Sequence, residues 1–134
     1  MLERLDQKMQ KAVESSAFLQ NAAMVMGWTG VVAIMVLSLV PGSLRPHTGL
    51  PGQMEHALAY GLTGALLCVG YGKPRDRLLL SIGLAACSAL FELLHNFVPG
   101  RSPAVIDSLA SIAGLTVGFI SGAALKTQAT VSLD

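Results

Sequence analysis

The sequence predicts an all-α chain, a four-helix transmembrane bundle with an N-terminal amphipathic helix. Two observations carry this. Of the 134 residues 52% are apolar and only 13% are charged, about half the charged share of an ordinary domain. The charges are also unevenly spread, with no Asp, Glu, Lys or Arg in residues 15–44, 57–72, 78–91 or 108–125. A helix in water needs a polar face, and these stretches supply none. Each lies near the length of about 20 residues that crosses a bilayer. The chain divides into a cytoplasmic or interfacial lead (1–21), one membrane domain (22–125) and a polar tail (126–134).

In the lead, Glu3, Arg4, Asp6, Lys8, Lys11 and Glu14 are interleaved with Leu2, Leu5, Met9 and Val13. The apolar set recurs at helical spacing and predicts a helix suited to the membrane surface. The first span follows at 22–40. It is too long and too late for a signal peptide, and Ser38-Leu39-Val40 is a poor cleavage site. Gly27 and Gly30 give it a smooth patch for close helix contact, and Trp28 is expected near an interface.

Pro41, Gly42, Pro46, Gly49, Pro51 and Gly52 mark residues 41–55 as a loop. It carries Arg45 and His47, the latter read as solvated. The second span, 56–71, holds a stripe of Ala57, Gly61, Gly64 and Cys68. His56 and Tyr60 are four apart and share a face. After a charged turn at 72–77, the third span (78–98) places Ser81, Ala85, Ser88, Glu92 and His95 on one face. Residues 99–103 turn the chain, and the fourth span (104–125) carries Asp107, Ser111, Gly114, Gly118 and Ser121. These last two seams are expected to pack on each other. Glu92, His95, Arg101 and Asp107 would then meet near the turn.

The basic residues predict orientation. Seven (Arg4, Lys8, Lys11, Lys73, Arg75, Arg77 and Lys126) lie on one side and two (Arg45 and Arg101) on the other. The positive-inside rule puts both termini in the cytoplasm and the cluster at the outer face of the cell (inner) membrane.

A net charge of +1 without a basic cluster argues against nucleic acid. Cys68 and Cys87 sit in apolar runs and read as buried small residues. No His-Glu-x-x-His or Gly-x-Ser-x-Gly motif occurs. Carboxylates in apolar surroundings must be paired, protonated or facing water. One reading of the cluster is therefore an anion site, in which Glu92 and Asp107 hold Arg101, and Arg101, Arg45 and His56 bind a phosphate or carboxylate. A second is structural, with Arg101–Asp107 and Glu92–His95 tying two helices together. A third is a metal or hydrolytic site built on Glu92-x-x-His95 with His56 and Asp107. It has one such motif where helix-bundle metal sites use two. No cofactor or metal is expected, and catalysis is not the favoured reading.

The run Glu92-x-x-His95-x-x-Val98-Pro99-Gly100-Arg101-Ser102-x-x-x-x-Asp107-x-x-x-Ser111-x-x-Gly114, with His56-x-x-x-Tyr60 before it, resembles the signature of VanZ-like membrane proteins. The likeness covers roughly residues 50–122. It departs at His95 and Ser111, where the family usually has Gln and Asn, and at Gly52-Gln53, where it often has Asp-Lys. The resemblance implies a small multi-pass envelope protein, from a family associated with tolerance to teicoplanin-type antibiotics. Its implied partners are membrane lipid and an anionic lipid-linked envelope precursor or lipoglycopeptide. A homo-oligomer is compatible with it. The implied ligand-binding residues are His56, Tyr60, Glu92, His95, Arg101 and Asp107. A non-catalytic scaffold is the alternative role.

Overall fold

The computed structural model describes residues 1–46 and 48–131, the last three by backbone alone. His47 and residues 132–134 of the tail lie outside the described residues. Four helices follow in order: α1 (Leu2–Leu39), α2 (Gly52–Gly70), α3 (Pro74–Leu94) and α4 (Val105–Val131). Single 3-10 turns lie at Gly42–Leu44 and His95–Phe97. The regular structure of the described residues is entirely helical.

The lead and the first span are not separate elements, as the charge pattern had suggested. They form one helix of 38 residues, about 57 Å at 1.5 Å per residue. Charge marks where a helix leaves lipid, whereas ending a helix takes proline, a cap or a turn, and none interrupts 2–39. Leu2, Leu5, Met9 and Val13 are all exposed, so the lead extends past the packed part of the fold. The tail begins later than expected for a similar reason, because α4 continues to Val131 through Lys126 and Thr127.

Three helices are long and apolar enough to cross a membrane: α1, α3 with its 3-10 extension, and α4. The exterior agrees with this. Val25, Val32, Leu58, Leu62, Ile82, Leu93, Val117 and Ile120 are more than half exposed, while Ser38, Thr63, Ser88, Glu92, His95 and Ser111 are buried. An apolar outside over a small and polar inside suits lipid, where close packing and interhelical hydrogen bonds replace the hydrophobic drive. α2 differs. Its first turns carry Gln53, Glu55 and His56, which leaves an apolar run of about 21 Å against a core of about 30 Å.

α2 lies between α1 and α4 and packs most extensively on α4. A side chain at Gly114 would strike the carbonyl of Ala57, one at Gly118 the carbonyl of Gly61, and one at Gly122 the backbone of Ala65. The partners keep a constant offset, so the two helices run parallel with their backbones in contact. Toward α1, Gly27 faces Leu67 and Gly30 faces Thr63. That order reverses along the chain, so α1 and α2 are antiparallel. The smooth patches at Gly27 and Gly30 and along Ala57, Gly61, Gly64 and Cys68 thus lie at helix contacts.

The expected pairing of the third and fourth seams is corrected. The Gly114 and Gly118 face of α4 meets α2, and Ser121 is exposed where Gly122 is buried. Glycine on both helices lets α2 come closer than the serines of α3 allow. α3 packs beside α4, with Ser88 3.3 Å from Ser108, and touches α1 and α2 only sparsely.

Candidate functional site

The site lies where α1 and α3 end and α2 and α4 begin. Its starting point is a backbone deficit. Leu37 and Ser38 would pass their carbonyls to the amides of residues 41 and 42 in a continuing helix. Residue 41 is proline and has no N–H. The amide of Gly42 is diverted to Pro99 O at 3.1 Å. That bond clasps the Pro-rich loop to the turn after α3. The clasp is tight enough that a side chain at Gly42 would meet the Gly100 carbonyl, and Gly100 takes φ +74° to make the turn. α1 has no basic residue of its own in its last turn. Two donors from elsewhere fill the gap: Arg101 Nη2 donates to Leu37 O, and His95 Nε2 donates to Ser38 O at 3.1 Å. Both complement the negative end of the helix dipole.

His95 is 2% exposed. Its Nδ1 lies 3.0 Å from Glu92 Oε1. A carbonyl only accepts, so Nε2 carries a hydrogen. Glu92 Oε1 also accepts from the Ala104 amide at 3.1 Å, just before α4. These two side chains bind α3 to α1 and α4 at once.

His56 and Asp107 form a second pair, with Nε2 and Oδ2 3.8 Å apart. Asp107 Oδ1 is buried without a hydrogen-bond partner among the described residues. Tyr60 is 2% exposed, with its hydroxyl against Ser88. Ser111 donates to Asp107 O at 2.9 Å.

A third pair escaped the sequence reading: Arg45 Nη2 donates to Glu55 Oε2, and Thr48 donates to Glu55 Oε1. The Thr48 hydrogen bond holds the Glu55 carboxyl below its usual range, with burial opposing and Arg45 assisting. Arg45 and Glu55 are ten residues apart in a loop without regular periodicity, so no pattern signals the pairing.

Glu92 and Asp107 do not hold Arg101, as the sequence reading had proposed. Glu92 is engaged by His95, Asp107 lies against His56, and Arg101 turns to a backbone carbonyl. Each of the three carboxylates has a basic partner within 4 Å, and among the described residues Arg101 has no carboxylate at that distance. Its Nε is also buried and without a partner among them. Burial, then the nearby Arg45 charge, pushes its guanidinium below the usual value.

Two cavities adjoin this end. One, of about 300 Å³, lies between α1 and α2 and is lined by His56, Tyr60, Arg45 and Arg101 over apolar walls that include Ile34 and Leu37. The other, of about 420 Å³, lies under the loop and shares both arginines. Glu92, His95 and Asp107 line neither and stand behind them. Among the described residues no three His, Cys, Asp or Glu side chains converge as metal ligands. Glu92, His95, His56 and Asp107 instead form two separate pairs.

No family model matches the chain, and neither the curated proteins nor the solved structures contain a match to it.

Proposed function

We propose that this chain is a VanZ-like integral membrane protein of the cell envelope. In this reading it crosses the inner membrane four times, with both termini cytoplasmic. It holds an anionic, lipid-linked or glycopeptide-type ligand at its outer face, by binding and without catalysis. The observation that carries the reading is the charge of Arg101. It lines a cavity beside a second arginine, and among the described residues no carboxylate lies within 4 Å of it. Its Nε is buried without a hydrogen-bond partner among the described residues, and an arginine fork suits phosphate or carboxylate. His56 and Tyr60 on the cavity wall complete the lining, and the Glu92–His95 pair and Asp107 support it from behind. The resemblance to VanZ-like proteins gives the family and, with it, the association with teicoplanin-type antibiotics.

A structural role is the second reading. The observation favouring it is that His95 and Arg101 cap α1 and join three helices. Arg101→Lys separates the two. Lysine keeps the charge and can reach a carbonyl, so a scaffold keeps its stability and loses nothing else. A bidentate anion site keeps its stability and loses its ligand. Native mass spectrometry of detergent-purified protein, wild type beside Arg101→Lys, reads this directly. An anionic species lost only from the variant supports the binding reading. An identical spectrum with no bound species in either protein leaves the scaffold.

A further inference from the structure

The two cavities differ in their walls and share Arg45, Arg101 and Glu55. Beyond the shared residues, the first is walled by Ile34, Leu37, Leu58 and Ala59 of α1 and α2. Leu37 is 43% and Leu58 59% exposed on the flanks of those helices. The first cavity therefore opens sideways, onto helix surface that meets hydrocarbon if these helices span. The second is walled by Gly42, Gly49, Gly52 and Gly100 of the loop and turn. Glycines present backbone amides and carbonyls instead of side chains, which suits a hydroxylated group. Arg45 and Arg101 stand at the boundary, on the lining of both.

We propose that the site takes a phosphodiester amphiphile, with its tail leaving between α1 and α2, its phosphate at Arg45 and Arg101, and a polar head group in the loop cavity. This rests on the anion-binding reading above and names the class of anion. Two features select a diester over a monoester. A monoester ends at the phosphate and leaves the loop cavity of about 420 Å³ empty, whereas a diester continues into it. Charge agrees: a diester brings one negative charge where a monoester brings up to two, and the linings of both cavities already hold the Glu55 carboxylate. A second buried negative charge has no partner, since Arg45 is already engaged by Glu55.

Native mass spectrometry with competing lipids of identical chains tests this. Phosphatidylglycerol is the diester with a polyol head and phosphatidic acid the monoester, with glycerol phosphate and inorganic phosphate as tailless controls. Phosphatidylglycerol is expected to bind at least about tenfold tighter than phosphatidic acid, the effect of roughly one charge-assisted contact, and the tailless anions not to compete. Gly52→Leu fills the loop cavity, where the nearest atom to an added side chain is Asp107 Oδ2 at 3.9 Å. It is expected to bring phosphatidylglycerol down to the level of phosphatidic acid. Equal binding of both lipids by the wild type, lost together in Arg101→Ala, overturns the diester and leaves the anion site standing. Competition by glycerol phosphate or inorganic phosphate overturns the amphiphile. Binding that survives Arg101→Ala, or none in folded wild type, overturns both readings. The wild-type comparison stands by itself if Gly52→Leu fails to fold.

Discussion

The two ends of this bundle use the same device and differ in what remains after it. At the far end, Lys126 Nζ of α4 donates to Val69 O and Tyr71 O, at 3.3 and 3.1 Å. Arg77 of α3 donates to Tyr71 O and Gly72 O, at 2.9 and 2.8 Å. Trp28 of α1 donates to the Tyr71 hydroxyl at 2.9 Å. Side-chain donors from later in the chain thus cap the C-terminus of α2, as Arg101 and His95 cap that of α1. Among the described residues the site end also holds three carboxylate–base pairs, an orphaned guanidinium nitrogen and two cavities lined by arginine, whereas the cavity at Trp28 is lined by Met24, Val25, Thr29 and Val32. Capping explains why cations stand at helix ends. Only the remainder at the site end calls for a ligand.

Breaking the buried pair has the largest expected effect. Glu92→Ala leaves a buried imidazole and the Ala104 amide without an acceptor, and is expected to destabilise the bundle by about 3 kcal/mol or more. A large drop in the detergent melting temperature checks it. His95→Gln keeps an amide that can donate to Ser38 O. It should lose less than half as much.

Matched substitutions at the two ends sharpen the contrast. Arg101→Met and Lys126→Met each uncap helix carbonyls, and each is expected to cost about 1–2 kcal/mol. Their melting temperatures should fall together. Bound anionic lipid should disappear from Arg101→Met alone, and its loss from Lys126→Met as well would erase the distinction between the ends. Trp28→Phe removes one neutral hydrogen bond at the far end, worth about 1 kcal/mol, and should leave lipid binding unchanged.

The four helices were legible because uncharged runs and loop punctuation are local properties. So was the smoothness of Gly27, Gly30, Ala57, Gly61 and Gly64, since a small-residue stripe is visible in one helix alone. Which stripe meets which was not, because smoothness does not name a partner: Gly114 and Gly118 meet α2, not α3. The convergence of His56, Tyr60, Glu92, His95, Arg101 and Asp107 at one end followed from the topology. Of their pairing, Glu92 with His95 was legible from the spacing of three, whereas the partner of Arg101 was not, because a search for side-chain partners overlooks backbone carbonyls. Pro41 held the missing signal. A proline four residues after Leu37 guarantees an orphan carbonyl there, and Arg101 answers it.

The smallest expected effect is one of pH, and it belongs to the loop alone. The Thr48 hydrogen bond, then burial in opposition and Arg45 in support, sets the Glu55 carboxyl below its usual 4.5. The folded chain therefore holds this proton less tightly than the unfolded chain. Stability from the pair is fully present above pH 4.5 and is lost as the pH falls through the lowered folded value. Thr48→Ala removes the largest cause, so the folded value should rise toward 4.5 and the total contribution shrink. Melting temperatures of the two proteins should differ most at pH 6 and converge as the pH falls, until Glu55 is protonated in both states. At the far end the Trp28–Tyr71 hydrogen bond joins an indole N–H to a hydroxyl, so Trp28→Phe and wild type should keep a constant gap across the same range. A gap that varied there as it does for Thr48→Ala would assign the acid sensitivity to the bundle as a whole.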